Sequence, residues 1–302
     1  MSLRKLAAAL LGLFAMAALA VAAGYVVLER WLERPLAVGD APLTIDVPAG
    51  QPFATTARDL DARGVLDHPQ WLQAYARLTG ADARVKAGEY EIRPGTTPRQ
   101  LLRMFESGAV VRHSVTIVEG WTFRSLRAAL ERNPYLDNTL AGQDDAAVMA
   151  ALGEPGTPPE GLFFPDTYLF GKGTADLEIL RQARARMQRE LDSAWNDRAE
   201  DLPITTPYEA LILASIVEKE TALASERERI AGVFTQRLRR GMRLQTDPTV
   251  IYGLGASFDG NLRRADLERD GPYNTYTRAG LPPTPIALPG AAAGPKPRKR
   301  TP

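Results

Sequence analysis

An apolar run rich in Ala, Leu and Val occupies residues 6–28, and no charge interrupts it. As a helix rising about 1.5 Å per residue it would reach about 34 Å, enough to cross a ~30 Å hydrocarbon layer. After it the apolar pattern changes period. Three stretches, VPAGQPFATTARDL from Val47, IRPGTTPRQLLRMF from Ile92 and IVEGWTFRSLRAAL from Ile117, share one plan. Each opens with a strand-like piece, turns at a glycine (Gly50, Gly95, Gly120) and starts a helix. Thr56 and Leu60, Leu101 and Phe105, and Leu126 and Leu130 then fall at i, i+4 spacing, which places each pair on one helix face. Thr or Pro just after each glycine supplies N-terminal helix chemistry.

Such units predict an α+β fold. They are typical of small carbohydrate-binding modules such as LysM, although strand–turn–helix is also a common opening for any mixed domain. The pattern divides the chain into a short N-terminus (1–5), a membrane helix (6–28), a LysM-like α+β module (40–150) and a larger mixed domain (151–290). A tail (291–302) follows. Residues 153–166, dense in Pro and Gly, read as a linker or structured loop. From 177 to 195 a charged amphipathic helix places Leu180, Ala183, Met187 and Leu191 on one face.

The stretch 205–241 reads as one long helix, with Thr206 as N-cap, Pro207 at the first position and Gly241 as the stop. From Ala210 to Val217 it is apolar around its whole circumference, the mark of a helix buried in a core. Glu218 and Glu220 enter this segment. Two positions are 200° apart on a helix, so these carboxylates point in opposite directions and cannot act as a pair. Small and apolar neighbours, including Ala214, Ser215 and Ala222, surround Glu218. They would desolvate its carboxyl and raise its pKa toward proton donation near neutrality. The competing reading ties both glutamates to Lys219, Arg227 or Arg229, as is ordinary for a helix leaving a core.

Composition narrows the chemistry. The chain has no cysteine and two histidines, His68 and His113, and its net charge is +1. Disulfides and thiolate chemistry are excluded, a zinc site would lack nitrogen ligands, and the charge balance argues against nucleic acid as a partner. Carboxylates are the agents that remain. Arg4 and Lys5 before the apolar run place the N-terminus in the cytoplasm and export the body. Trp31 falls where interfacial aromatics collect. Small residues at Ala18, Ala20 and Ala22 leave a cleaved signal sequence as the alternative.

The words ASIVEKET (214–221), RLQTDPTVIYG (243–253) and YNTYTRAGLPPTPIALPG (273–290), with EGLFFPDTY (160–168), resemble those of the YceG-like family of endolytic murein transglycosylases. The resemblance also covers the anchor and the module before residue 150. It implies a catalytic acid at Glu218, a LysM-like module, and cleavage of the β-1,4 bond between N-acetylmuramic acid and N-acetylglucosamine in nascent peptidoglycan, ending glycan strands. Such a lyase activates no water. One carboxyl protonates the departing oxygen and then removes a proton from the C6 hydroxyl, which closes on C1 to give a 1,6-anhydro end.

Gln245, Thr246, Asp247, Asn274, Thr275 and Tyr276 are expected in the sugar cleft, with turn and helix capping as the other reading for Asp247 and Asn274. No metal or cofactor is implied. Membrane-bound peptidoglycan synthases are possible partners. After Pro289 the family continues with a further segment, including a strand-like YLYFV word, that this chain does not carry. Residues 291–302, rich in Pro and base, read as a disordered tail. Two rival readings are a non-catalytic, membrane-anchored peptidoglycan-binding scaffold and a two-carboxylate muramidase using Asp247 or Glu220.

Overall fold

The computed structural model describes residues 3–293, with side chains from residue 10 onward, in two compact units, Met1–Arg112 and His113–Pro302. Of the tail expected to be disordered over 291–302, Ala291–Ala293 instead forms a 3-10 turn with Ala293 buried, and the remainder lies outside the described residues.

The first unit opens with α1 (Leu3–Leu32), and Leu10–Leu32 is long and apolar enough to cross a membrane. Leu11, Phe14, Leu19 and Val21 face outward along it. Its last turn behaves differently. Trp31 and Leu32 are buried, Trp31 Nε1 donates to Asp67 at 2.9 Å, and its ring meets Trp71 edge-on. Trp31 is therefore a core residue of the first unit and not the interfacial ring suggested by its position. Arg99 fixes this helix end by pairing with Glu29 and, at 2.6 Å, with Glu33.

Next come β1 (Leu43–Val47), α2 (Phe53–Ala62), α3 (Pro69–Thr79), β2 (Gly88–Ile92) and α4 (Pro98–Ser107). The strands pair antiparallel with Ile45 opposite Tyr90, so both helices between them pack on one small sheet.

The second unit contains most of β3 (Arg112–Thr116), then α5 (Phe123–Glu131), β4 (Leu136–Asp137), α6 (Asp145–Ala151), β5 (Thr167–Gly171), β6 (Thr174–Ala175) and α7 (Asp176–Asn196). α8 (Pro207–Glu220), α9 (Ala224–Arg239), α10 (Asp247–Leu254) and α11 (Arg264–Glu268) complete it. β3 pairs with β5, and β4 runs parallel to β6. The mixed α+β class expected from the sequence holds.

The repeated plan holds as well. Gly50, Gly95 and Gly120 have φ of 78°, 87° and 77°, the left-handed region that favours glycine. A helix starts just beyond each one, and all six predicted face positions are buried. Thr97 and Thr122 accept from Gln100 N and Ser125 N as true N-caps.

The division between units falls at 112–113 rather than 150–151. Val115, Ile117, Phe123, Leu126 and Val148 share one core with Phe163, Phe170 and Ile179, so the third strand–glycine–helix repeat is built into the larger unit. The Pro/Gly-rich 153–166 segment is a structured loop of that core. Phe163 is fully buried and stacks on Phe123 with ring centroids 5.0 Å apart. On α7, Leu180, Ala183 and Met187 are buried as their spacing requires, and Leu191 packs at the edge.

Candidate active site

α8 begins as its sequence dictates. Thr206 and Glu209 form a reciprocal capping box, with Pro207 at the first position, and every residue from Ala210 to Glu218 is buried. The helix does not run on to Gly241. Thr221 is extended (φ −147°, ψ 138°), its hydroxyl accepts from Leu223 N at 3.0 Å, and it donates to Glu226 at 2.9 Å. A threonine side chain that bonds nearby backbone offers the chain an alternative to helix, and here the alternative wins. The reading of one long helix is corrected to two, α8 and α9.

This break folds α9 back along α8 and assembles the site. Glu218 retains 8% of its surface. Its Oε1 accepts from Arg227 Nη2 at 2.7 Å, and its Oε2 accepts from the backbone N–H of Gly290 at 3.0 Å. The same Arg227 nitrogen reaches Glu119 Oε2 at 3.3 Å, while the buried Arg227 Nε has no hydrogen-bond partner. Gly290 leaves room for Glu119: a Cβ there would lie 1.8 Å from Glu119 Oε1, so the end of that side chain would have to move aside. Burial pushes the Glu218 carboxyl above the usual carboxylate range, against the opposing pull of the Gly290 N–H and the Arg227 guanidinium, and the charge of Glu119 adds to the rise.

The ion pair with Arg227 set out as the competing reading is therefore present, for Glu218 alone. Glu220 points the other way, as its helical position requires, and accepts from Thr246 Oγ1 at 2.8 Å. Lys219 Nζ donates to the Gly120 carbonyl at 3.3 Å. A cavity of about 690 Å³ reaches Lys219, and one of about 210 Å³ reaches Ala214 and Gly290; Glu218 lines neither.

The two polar words lie side by side. Gln245 N donates to Thr275 O at 3.1 Å, and Thr246 N to Thr275 Oγ1 at 3.1 Å. Thr246 and Thr275 are buried, with Thr249 bonded to Thr275 at 2.9 Å. Asn274 is buried too. Its Nδ2 donates to the carbonyls of Asp266, Leu267 and Arg269 at 3.1, 3.0 and 2.7 Å, the capping role that the sequence left open. Asp247 accepts from Tyr276 Oη at 2.6 Å. Gln245 is exposed and has a φ of 52°, an uncommon conformation for a non-glycine residue. Of the six expected cleft residues, Gln245, Asp247 and Tyr276 keep polar groups within reach of solvent, on the Glu220 side of α8.

Sequence reasoning did not single out Glu119 or Gly290, and it met Arg227 only as a bridging cation. Glu119 stands in the third repeat, beside the glycine that turns it, and that position was the available signal.

A family model described as the YceG-like family matches residues 45–294. The endolytic murein transglycosylase of Bacillus subtilis (strain 168) is 30% identical over 268 residues, covering 83% of this chain and 74% of that protein. An endolytic murein transglycosylase of Streptococcus pneumoniae (strain D39) is 27% identical over 285 residues, and this chain spans 51% of its length. The crystal structure of a yceG-like protein from Listeria monocytogenes is similar at 29% identity, covering 83% of this chain and 88% of that one, with a TM-score of 0.49.

Proposed function

This chain belongs to the YceG-like family, and from that premise we propose that it is a membrane-anchored lytic transglycosylase of peptidoglycan in which Glu218 acts as acid and then base. The carrying observation is that the Glu218 carboxyl is buried and raised in proton affinity, while its cation already touches a second carboxylate. A general acid must hold its proton near working pH, and desolvation favours that state. Arg227 opposes it, but the same Nη2 also touches Glu119. By shifting toward Glu119, Arg227 frees Glu218 to protonate the departing oxygen of the MurNAc–GlcNAc bond. By returning, it stabilises the carboxylate left behind. Glu218 then takes the C6 hydroxyl proton as that oxygen closes on C1, and the product carries a 1,6-anhydro end.

The rest of the chain fits this reading. α1 would hold the enzyme at the inner membrane, beside newly made strands and the synthases that make them, with the body in the periplasm. The order β1–α2–α3–β2 in the first unit supports a LysM-like glycan-binding role. Gln245, Asp247 and Tyr276 would contact the strand. The family relationship supports these assignments.

The test is mass spectrometry of glycan strands digested with the full chain. Anhydro ends should form with the native protein and disappear with Glu218→Gln. Reducing ends that carry oxygen-18 from labelled water would instead assign hydrolysis, with Glu119 as the second carboxylate nearest Glu218. The ion pair itself favours one further reading, a non-catalytic peptidoglycan-binding scaffold. Strand binding without any cleavage would establish it.

A further inference from the structure

The cavity of about 690 Å³ in the second unit has a buried carboxyl in its lining that the proposed reaction does not use. Glu160 keeps only 6% of its surface. Its Oε1 accepts from Phe123 N at 3.0 Å, and its Oε2 accepts from Tyr252 Oη at 3.1 Å. Tyr252 meets Tyr273 edge-on at 5.0 Å, and Tyr273 Oη is bonded to Thr284 Oγ1 at 2.8 Å. Capping of α5 accounts for the bond to Phe123. It does not account for the second bond to a tyrosine, or for the open volume beside both groups.

We propose that this cavity is a sugar subsite, in which Glu160 and Tyr252 bind the hydroxyl or acetamide groups of a neutral pyranose ring of the strand. The inference rests on the transglycosylase reading and adds a subsite to it. Three features select this ligand class. Opposite charges are mixed around the cavity, Arg124 and Lys219 with Asp145, and Glu160 is uncharged when protonated, so no strong field of one sign selects an ion. Tyrosine, proline and isoleucine side chains line much of the remainder, which suits the C–H face of a pyranose. Burial holds the Glu160 proton up to about 7, so near neutrality the carboxyl can donate as well as accept.

The cavity also adjoins the acid. Its Thr122–Phe123 wall begins two residues after Gly120, where a Cβ would lie 3.7 Å from Lys219 Cδ and 4.0 Å from Glu218 Cγ. A strand seated with one ring in the cavity would carry its next linkage past that turn toward Glu218.

The experiment uses the full chain carrying Glu218→Gln, so that turnover cannot obscure binding. The probe is the β-1,4-linked tetramer of N-acetylglucosamine, titrated by calorimetry while hydrogen exchange of the Thr122–Leu126 and Tyr252 segments separates uptake in this cavity from any in the first unit. Tyr252→Phe, which removes one hydroxyl, should weaken binding about threefold to tenfold. Ile251→Trp, which adds bulk to the cavity wall and leaves Glu160 and Tyr252 themselves unaltered, should weaken it more than tenfold. Unchanged affinity in both variants overturns the subsite. If Ile251→Trp fails to fold, Tyr252→Phe alone decides. If the Glu218→Gln parent takes up no tetramer, the cavity is no sugar subsite. The anhydro-end assay with native protein tests the transglycosylase reading separately.

Discussion

Glu218 and Arg227 stand nine residues apart in the chain and 2.7 Å apart in space. In an unbroken helix nine residues amount to about 13.5 Å of rise and about two and a half turns, so the two side chains would face opposite ways. The extended Thr221 makes the pairing possible by reversing the chain between α8 and α9.

Removing the cation should therefore leave a buried carboxyl without its counter-charge. Arg227→Met is expected to destabilise the protein by about 3–5 kcal/mol at alkaline pH, the usual cost of breaking a buried pair from one side. The sign with pH follows from linkage. Without Arg227 the folded-state pKa of Glu218 rises further above its unfolded value, so the variant loses stability relative to the parent as pH increases. Urea unfolding at pH 5 and pH 8 should show the larger deficit at pH 8. Equal deficits would mean that the ion pair contributes packing alone.

Glu119 is expected to tune the acid through charge. It raises the proton affinity of Glu218, so Glu119→Gln should lower it and move the alkaline limb of the pH–rate profile for anhydro-end formation to lower pH. Gly290→Ala should act in the same direction, because a Cβ there pushes the Glu119 carboxylate away from its place beside Arg227. An unmoved limb in Glu119→Gln would separate Glu119 from the chemistry.

Much of this arrangement was legible in the sequence, and the remainder was hidden for identifiable reasons. Periodicity located α7 and the buried faces of α2, α4 and α5, because local spacing decides which side of a helix is apolar. The circumferentially apolar Ala210–Val217 announced a buried helix, and the 200° between Glu218 and Glu220 correctly sent them to different partners. The break at Thr221 was not visible, since a single threonine is compatible with helix until its hydroxyl finds the Leu223 N–H. The unit boundary was missed for a tertiary reason. The third repeat looks like the first two, but Phe123 stacks on Phe163 from a distant loop. Trp31 was misassigned because its partners, Asp67 and Trp71, are also distant in sequence.

Asn274 provides a test of structural against ligand-facing roles. Its amide holds three carbonyls at the end of α11, and its Oδ1 accepts from Tyr276 N at 2.9 Å. Asn274→Ala would strand several buried groups and should cost about 2–3 kcal/mol in stability. For a domain of this size that is a drop of several degrees in Tm. At temperatures where the variant remains folded, KM for glycan strands should be unchanged. A raised KM with an unaltered Tm would return Asn274 to the list of sugar ligands.

Glu160 gives the most direct pH signature in the second unit. Its carboxyl titrates near 4.5 in an unfolded chain and at about 7 when folded, because burial outweighs the hydrogen bonds from Phe123 and Tyr252. Between those values the folded state binds more protons than the unfolded state, so stability falls as pH rises, by up to ~1.4 kcal/mol per pH unit. Below pH 4.5 both states are protonated, and above 7 both are ionised, so the contribution is flat outside the window. Glu160→Gln keeps the acceptor for Phe123 N and removes the titration. The Tm of the parent minus that of Glu160→Gln should then decline from pH 4.5 to 7 and level off beyond it. A difference constant across this range would mean that the carboxyl is already ionised when folded. Tyr252 would then donate to a carboxylate at all physiological pH values, and a proton could not be available to a ligand in the cavity.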